Sequence, residues 1–112
     1  MIVSATHVRL VLTTAGSREE AERIAGALVQ QHLAACVNLI AGLTSIYCWK
    51  GAVETAGEVL LLIKTTVDHL DRVEAVVRHL HSYELPEFLV VHSDAASQAY
   101  LDWLLQSTNL DS

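Results

Sequence analysis

Basic residues are scarce in this chain: seven Lys and Arg stand against thirteen Asp and Glu, a formal net charge of −6. A protein of that sign repels phosphate backbones, which argues against nucleic-acid binding and favours cations or partners with basic patches. There are two cysteines, Cys36 and Cys48, and both fall in one predicted strand. Residues that far apart along a strand cannot come within the roughly 7 Å Cα separation a disulfide needs. Both are expected as free thiols in a reducing compartment, so the chain reads as cytoplasmic. Long apolar runs are missing. The longest, Val59 to Ile63, falls far short of the roughly 20 residues that cross a bilayer. The opening MIVSATHVRL has no basic segment followed by an apolar stretch and a small-residue cleavage site, so no signal peptide is read. Also absent are G-x-S-x-G, H-E-x-x-H, C-x-x-C and a glycine-rich phosphate loop, and the chain is not expected to be an enzyme. The run VLLLIK carries no aromatics on which bases could stack.

What is present is an apolar chain of 112 residues, 52% hydrophobic and 18% charged. That length makes one domain, residues 1–112 with a core from about 7 to 107, and the apolar surplus suggests surface buried between subunits. HVRLVLTT (7–14) predicts a strand. Ser17 and Glu20 have capping-box spacing, and Ala21, Ile24, Ala25, Leu28 and Val29 then predict a helix to about Leu33. Two long strands follow, 35–50 with a bulge or bend at Gly42, and 53–65 with a second irregularity at Gly57, joined by a turn at Gly51. Thr65 or Thr66 is positioned to cap a second helix striped by Leu70, Val73, Val76, Val77 and Leu80. The loop HSYELPE leads to a short strand, 88–92, and Ser97 opens a last helix with a polar tail from Ser107 expected to fray.

The order βαββαβ plus a terminal helix predicts an α+β, ferredoxin-like antiparallel sheet with helices on one face. The central hairpin outgrows its domain: about fifteen strand residues reach roughly 50 Å, whereas a compact chain of this length spans only about 35 Å. Val59, Leu61 and Ile63 point to one side of the returning strand and Leu60 and Leu62 to the other, so both sides are expected to be covered. Helices cover one side, and nothing else in the chain is expected to cover the second. Neighbouring subunits are therefore predicted, which also protects an overhanging strand edge.

LAACVNLIAGLTSIYCWKG (33–51), EVLLLIKT (58–65), HSYELPE (81–87) and YLDWL (100–104) resemble the CutA divalent-cation-tolerance family, in order over nearly the whole chain. The resemblance implies a ferredoxin-like fold in a tight homotrimer, with interlocking hairpins and sheets facing inward. It also implies a part in tolerance to copper and other divalent ions, and no established catalytic activity. The implied trimer resembles the PII signalling proteins, which bind small ligands between subunits. Proline, frequent in the family at the positions of Gly16, Ala41 and Ser82, is absent there, leaving Pro86 as the sole proline. Copper ligation in some bacterial members is assigned to positions that here hold Thr13, Leu80 and His81, so one imidazole remains.

Two sets of candidate residues follow. His81 with Glu84 or Glu87 is one candidate for weak divalent-ion ligation, copper foremost, since imidazole and carboxylate suit such ions. The structural alternative is a histidine that ends the second helix and meets its dipole. Trp49, Lys64, Tyr83 and Glu87, with Tyr47 beside them, could meet at a cleft between subunits. There they would hold a small molecule or partner peptide, or simply pack, with Lys64 and Glu87 paired. Cys36 is expected in the core. No organic cofactor, nucleic acid or membrane insertion is expected.

Overall fold

Two long strands joined by a two-residue turn dominate the computed structural model, which describes residues 1–109. β3 (Cys36–Trp49) and β4 (Ala52–Thr66) pair antiparallel from Trp49 opposite Ala52 down to Cys36 opposite Lys64. Lys50 and Gly51 both take positive φ, 51° and 84°. That is the turn geometry whose twist matches the two strands it joins. Gly42 also has positive φ, and the register shifts between Ile40 and Leu43, so the expected bulge is there. Gly57 pairs in register with Thr44 and makes no irregularity.

β4 pairs on its other edge with β2 (Val8–Ala15), and β2 with the short edge strand β5 (Leu89–His92). The sheet order is β3-β4-β2-β5, with every neighbour antiparallel. Two three-residue strands that the apolar pattern does not signal, β1 (Ile2–Ser4) and β6 (Ala95–Ser97), form a separate small ladder.

α1 (Arg18–Gln30) and α2 (Leu70–Leu80) lie on one face of the larger sheet. Ile24, Leu28, Val73 and Val77 meet Val11, Leu61 and Ile63 there, all fully buried. Each such side chain stabilises the fold by about 1.5–3 kcal/mol relative to exposure, so this layer is the main core. α1 stops three residues short of Leu33, because His32 turns into the left-handed region at φ 60°. α2 is entered through a single 3-10 turn, Val67–His69, and neither threonine caps it in the expected way. The Thr65 hydroxyl donates instead to the Leu33 carbonyl at 2.6 Å, and Thr66 Oγ1 meets the His69 ring.

The opposite face is covered only at one end. There α3 (Gln98–Ser107), capped by Ser97, sets Leu104 against Val8, Ala35 and Ala5. Cys36 lies half-buried rather than in the core, because its register partner is Lys64, whose side of the sheet the two larger helices do not cover. Thr108 is buried, its hydroxyl donating to the Leu104 carbonyl at 3.0 Å, so the helix end is tied down rather than frayed. The rest of the expected frayed tail, 110–112, lies outside the described residues. Leu10, Leu12, Leu60 and Leu62 stay half-buried on this face, and Ile40, Leu89 and Val91 are exposed. The molecule measures 47 × 25 × 22 Å, its long axis reflecting the hairpin that overhangs the helical layer. Among the described residues no helix is long and apolar enough to cross a membrane.

Candidate functional site

The overhanging half of the hairpin and the loop after α2 enclose a cleft of about 830 Å³. β3 contributes Ser45, Tyr47 and Trp49, β4 contributes Glu54 and Glu58, β2 contributes Thr14, and the loop contributes Tyr83 to Phe88. Strand geometry sets part of this pattern. Alternate side chains share a face, so Ser45, Tyr47 and Trp49 project together.

The loop is held by a buried polar network. His81 ends α2 in extended backbone, and its side chain is fully buried. Nε2 lies 2.6 Å from the Thr14 carbonyl, which can only accept, so Nε2 carries the hydrogen. Nδ1 accepts the Tyr83 backbone N–H at 3.0 Å and lies 3.2 Å from a Glu20 carboxylate oxygen. Glu20 in turn accepts the Ser82 N–H at 2.7 Å and the Ser82 hydroxyl at 2.8 Å. Burial pushes the Glu20 carboxyl up. The two Ser82 donors, with smaller help from the Arg23 charge, outweigh it and hold the group below its ordinary value. The capping box is therefore half made. Ser17 accepts the Glu20 N–H at 3.2 Å, while the Glu20 side chain leaves the helix end for the loop. A proline at position 82 would lack the N–H that this carboxylate accepts.

Tyr83 follows from that anchoring. Its ring packs tilted on His81 at 4.6 Å, and its hydroxyl donates to Glu58 at 2.8 Å. Burial, then the Glu58 hydrogen bond and charge, push the phenol up to about 12. Gly16 makes room for it: a Cβ there would stand 3.1 Å from the Tyr83 oxygen. Across the cleft Glu87 is raised, first by burial and then by the charge of Glu58.

Tyr47, Trp49, Tyr83, Glu84 and Glu87 thus line one cleft. Lys64 is not in it. It pairs with Leu10 and Cys36 at the other end of β4, its Nζ 5.7 Å from the Tyr100 ring centroid, and it makes no ion pair with Glu87 within the chain. Both His81 nitrogens face protein partners, and among the described residues no group of three or more His, Cys, Asp or Glu stands close enough to hold a metal ion. Glu20, Glu58 and Thr14 hold the loop or line the cleft, and spacing did not place them there. Glu58 opens the apolar run EVLLLIK, a carboxylate placed where a buried strand begins, and that was the available signal.

Fold and cleft define a small antiparallel α/β domain with an acidic, aromatic-walled cleft. Residues 9–107 match the family model described as CutA1 divalent ion tolerance protein, and the chain belongs to that family. It is 46% identical over 99 residues to the divalent-cation tolerance protein CutA of Thermus thermophilus, covering 88% of this chain and 96% of that one. The chloroplastic CutA 1 of Oryza sativa is 38% identical over 88% of this chain, which spans only 56% of that longer protein. The CutA structure from Synechococcus elongatus superposes with a TM-score of 0.92 at 38% identity, covering 97% of this chain and 96% of its own. A second structure of that protein, complexed with a Bis-Tris molecule, gives 0.89 at the same identity, covering 96% and 99%.

Proposed function

We propose that this chain serves divalent-cation tolerance as a non-enzymatic, cytoplasmic homotrimer, and that the cleft beside Tyr83 is where it meets its ligand. One observation carries this reading: four glutamates and the aromatic rings of Tyr47, Trp49 and Tyr83 converge on one cavity, and no basic side chain lines it. Charge of one sign in a walled cleft attracts and orients a cation. The strand order β3-β4-β2-β5 supports the ferredoxin-like description. The half-buried and exposed apolar side chains on the uncovered sheet face support the trimer. A relative whose structure is complexed with a Bis-Tris molecule supports a PII-like role, in which a small solute is sensed. The rice relative is chloroplastic by name, so a cytoplasmic address rests on the free thiols of this chain.

The second reading is weak copper or other divalent-ion binding by His81, Glu84 and Glu87. Two of the three line the cleft, and the His81 ring packs on the cleft tyrosine. It requires the imidazole to release the Tyr83 N–H or the Thr14 carbonyl. Calorimetric titration of chelator-stripped protein with Cu²⁺, Zn²⁺ and Bis-Tris, beside Glu58→Gln and His81→Ala, separates the two. Binding weakened by Glu58→Gln and largely kept in His81→Ala is expected. Metal binding abolished by His81→Ala alone would give the site to copper instead.

A further inference from the structure

The β3–β4 hairpin changes character where it leaves the body. Up to Val59 it belongs to a four-stranded sheet, because β2 pairs with β4 as far as Ala15 opposite Val59. Beyond that point β3 and β4 run on as a two-stranded ribbon, a form that is only marginally stable by itself. The bulge falls at the same level. Ile40 pairs with Leu60 and Leu43 with Glu58, so Ala41 and Gly42 are left outside the regular ladder. A bulge bends its strand and interrupts the pairing. Gly42 on one strand and Gly57 on the other have no side chain to pack, and a Cβ on either would meet nothing within 4 Å. No residue from 40 to 58 belongs to either buried apolar cluster. A broken ladder, glycine on both strands and open space around them are the features of a hinge.

One side-chain bond crosses this level. Among the described residues, the Tyr83 hydroxyl donating to Glu58 at 2.8 Å is the one side-chain hydrogen bond between residues 41–58 and the rest of the chain. Glu58 adjoins the bulge as the partner of Leu43, and it is only 8% exposed. A hydrogen bond to a carboxylate is stronger than one between neutral groups. The phenol stays a donor, since burial and then the Glu58 hydrogen bond and charge push it up to about 12. The other end of the tyrosine is fixed to the body. Its N–H donates to His81 Nδ1 at 3.0 Å, and Ser82 gives Glu20 of α1 two hydrogen bonds. His81 in turn is tied to the Thr14 carbonyl of β2.

We propose that Tyr83 is a strap that holds the outer hairpin at one angle to the body, about a hinge made by the Ile40–Leu43 bulge and Gly57. Neighbouring copies that take up the outer half then meet a preset shape, and the cost of ordering a loose arm on association is avoided. That consequence rests on the assembly proposed above, whereas the strap is a property of one chain.

The test reads the hairpin angle as a distance within the full chain. With Cys36→Ser and Cys48→Ser in place, spin labels are set at Glu19→Cys on α1 and Ala52→Cys at the hairpin tip, both exposed positions. The labelled chain is mixed with an excess of unlabelled chain, so that pulsed dipolar spectroscopy reads distances inside one copy. Tyr83→Phe, which keeps the ring and removes the hydroxyl, and Glu58→Ala should each widen the distance distribution about twofold. Together they should widen it no more than either alone, because both remove the same bond. Glu58→Gln, whose amide oxygen still accepts, should stay near the parent width. Thermal melts of the same samples show which variants fold, and Tyr83→Phe carries the test if Glu58→Ala does not. Equal widths in the parent and Tyr83→Phe would overturn the strap. Widening that adds up in the double variant would overturn it too, since the two groups would then act separately. Light scattering on the same samples reads the assembly independently: a single-chain mass would contradict the assembly, and the distances would still decide the strap.

Discussion

The inner and outer halves of the β3–β4 hairpin share one ladder, yet they live in different surroundings. On the inner half Val59, Leu61 and Ile63 are sealed against α1 and α2. On the outer half Ile46 is 71% exposed and Val53 77%, although both are β-branched and apolar. The difference teaches what each half is for. The inner half holds the chain together by burial. The outer half adds no comparable burial within the chain, but supplies the wall of an acidic cleft and an apolar surface suited to other copies.

The sharpest way to break this contrast is to shorten side chains on both halves. Leu61→Ala should lower unfolding stability by about 2–5 kcal/mol in a denaturant melt, through lost transfer and a residual cavity. Ile46→Ala should change it by no more than about 0.5 kcal/mol when the chain is kept dilute. A large loss at Ile46 in dilute protein would erase the distinction.

Next comes the latch between them. Glu20→Ala should cost about 1–3 kcal/mol, since it strips partners from Ser82 and leaves its N–H without an acceptor. The Glu20 carboxyl is lowered in the fold from an ordinary 4.5. Its contribution is therefore fully present above that value and is lost as pH falls through the lower folded value. Stability measured from pH 6 down to 2 should fall less steeply in Glu20→Gln than in the parent. An identical acid limb would contradict the hydrogen bonds assigned to the carboxylate.

A smaller effect of opposite sign is expected at Thr13. Its hydroxyl is buried against the helices without a partner among the described residues. Thr13→Val should stabilise the fold by about 1 kcal/mol, read as a higher melting midpoint. The last prediction is spectroscopic. The folded Tyr83 phenol is raised to about 12. Its contribution is present below its unfolded value near 10 and is lost as pH rises through 12. Ultraviolet titration should show a late-ionising tyrosine that vanishes in Tyr83→Phe and ionises earlier in Glu58→Gln.

How much of this was legible beforehand depended on whether neighbours in space were also neighbours along one element. The long hairpin, its bulge at Gly42 and its turn at Gly51 followed from apolar runs broken by glycine. The helix stripes followed from spacing. β1 and β6 did not, because IVS and AAS are too short to show a period. The Glu20 side chain could be read only as a local cap, since its real partner, Ser82, comes from a distant loop. Tyr47, Trp49, Tyr83 and Glu87, grouped from their positions at strand and loop ends, line one cavity within the chain. Lys64, grouped with them for a cleft between subunits, stands apart from them within one chain because of register. Glu58 pairs with Leu43 in the outer half, while Lys64 pairs with Cys36 at the inner end.

The central claim is that the outer half and the uncovered sheet face belong to an assembly. Light scattering on purified protein across a wide concentration range tests it most directly. The account predicts a mass three times that of one chain, falling on dilution once Val53→Asp places a charge on the exposed outer half. A single-chain mass that does not change with concentration would contradict it.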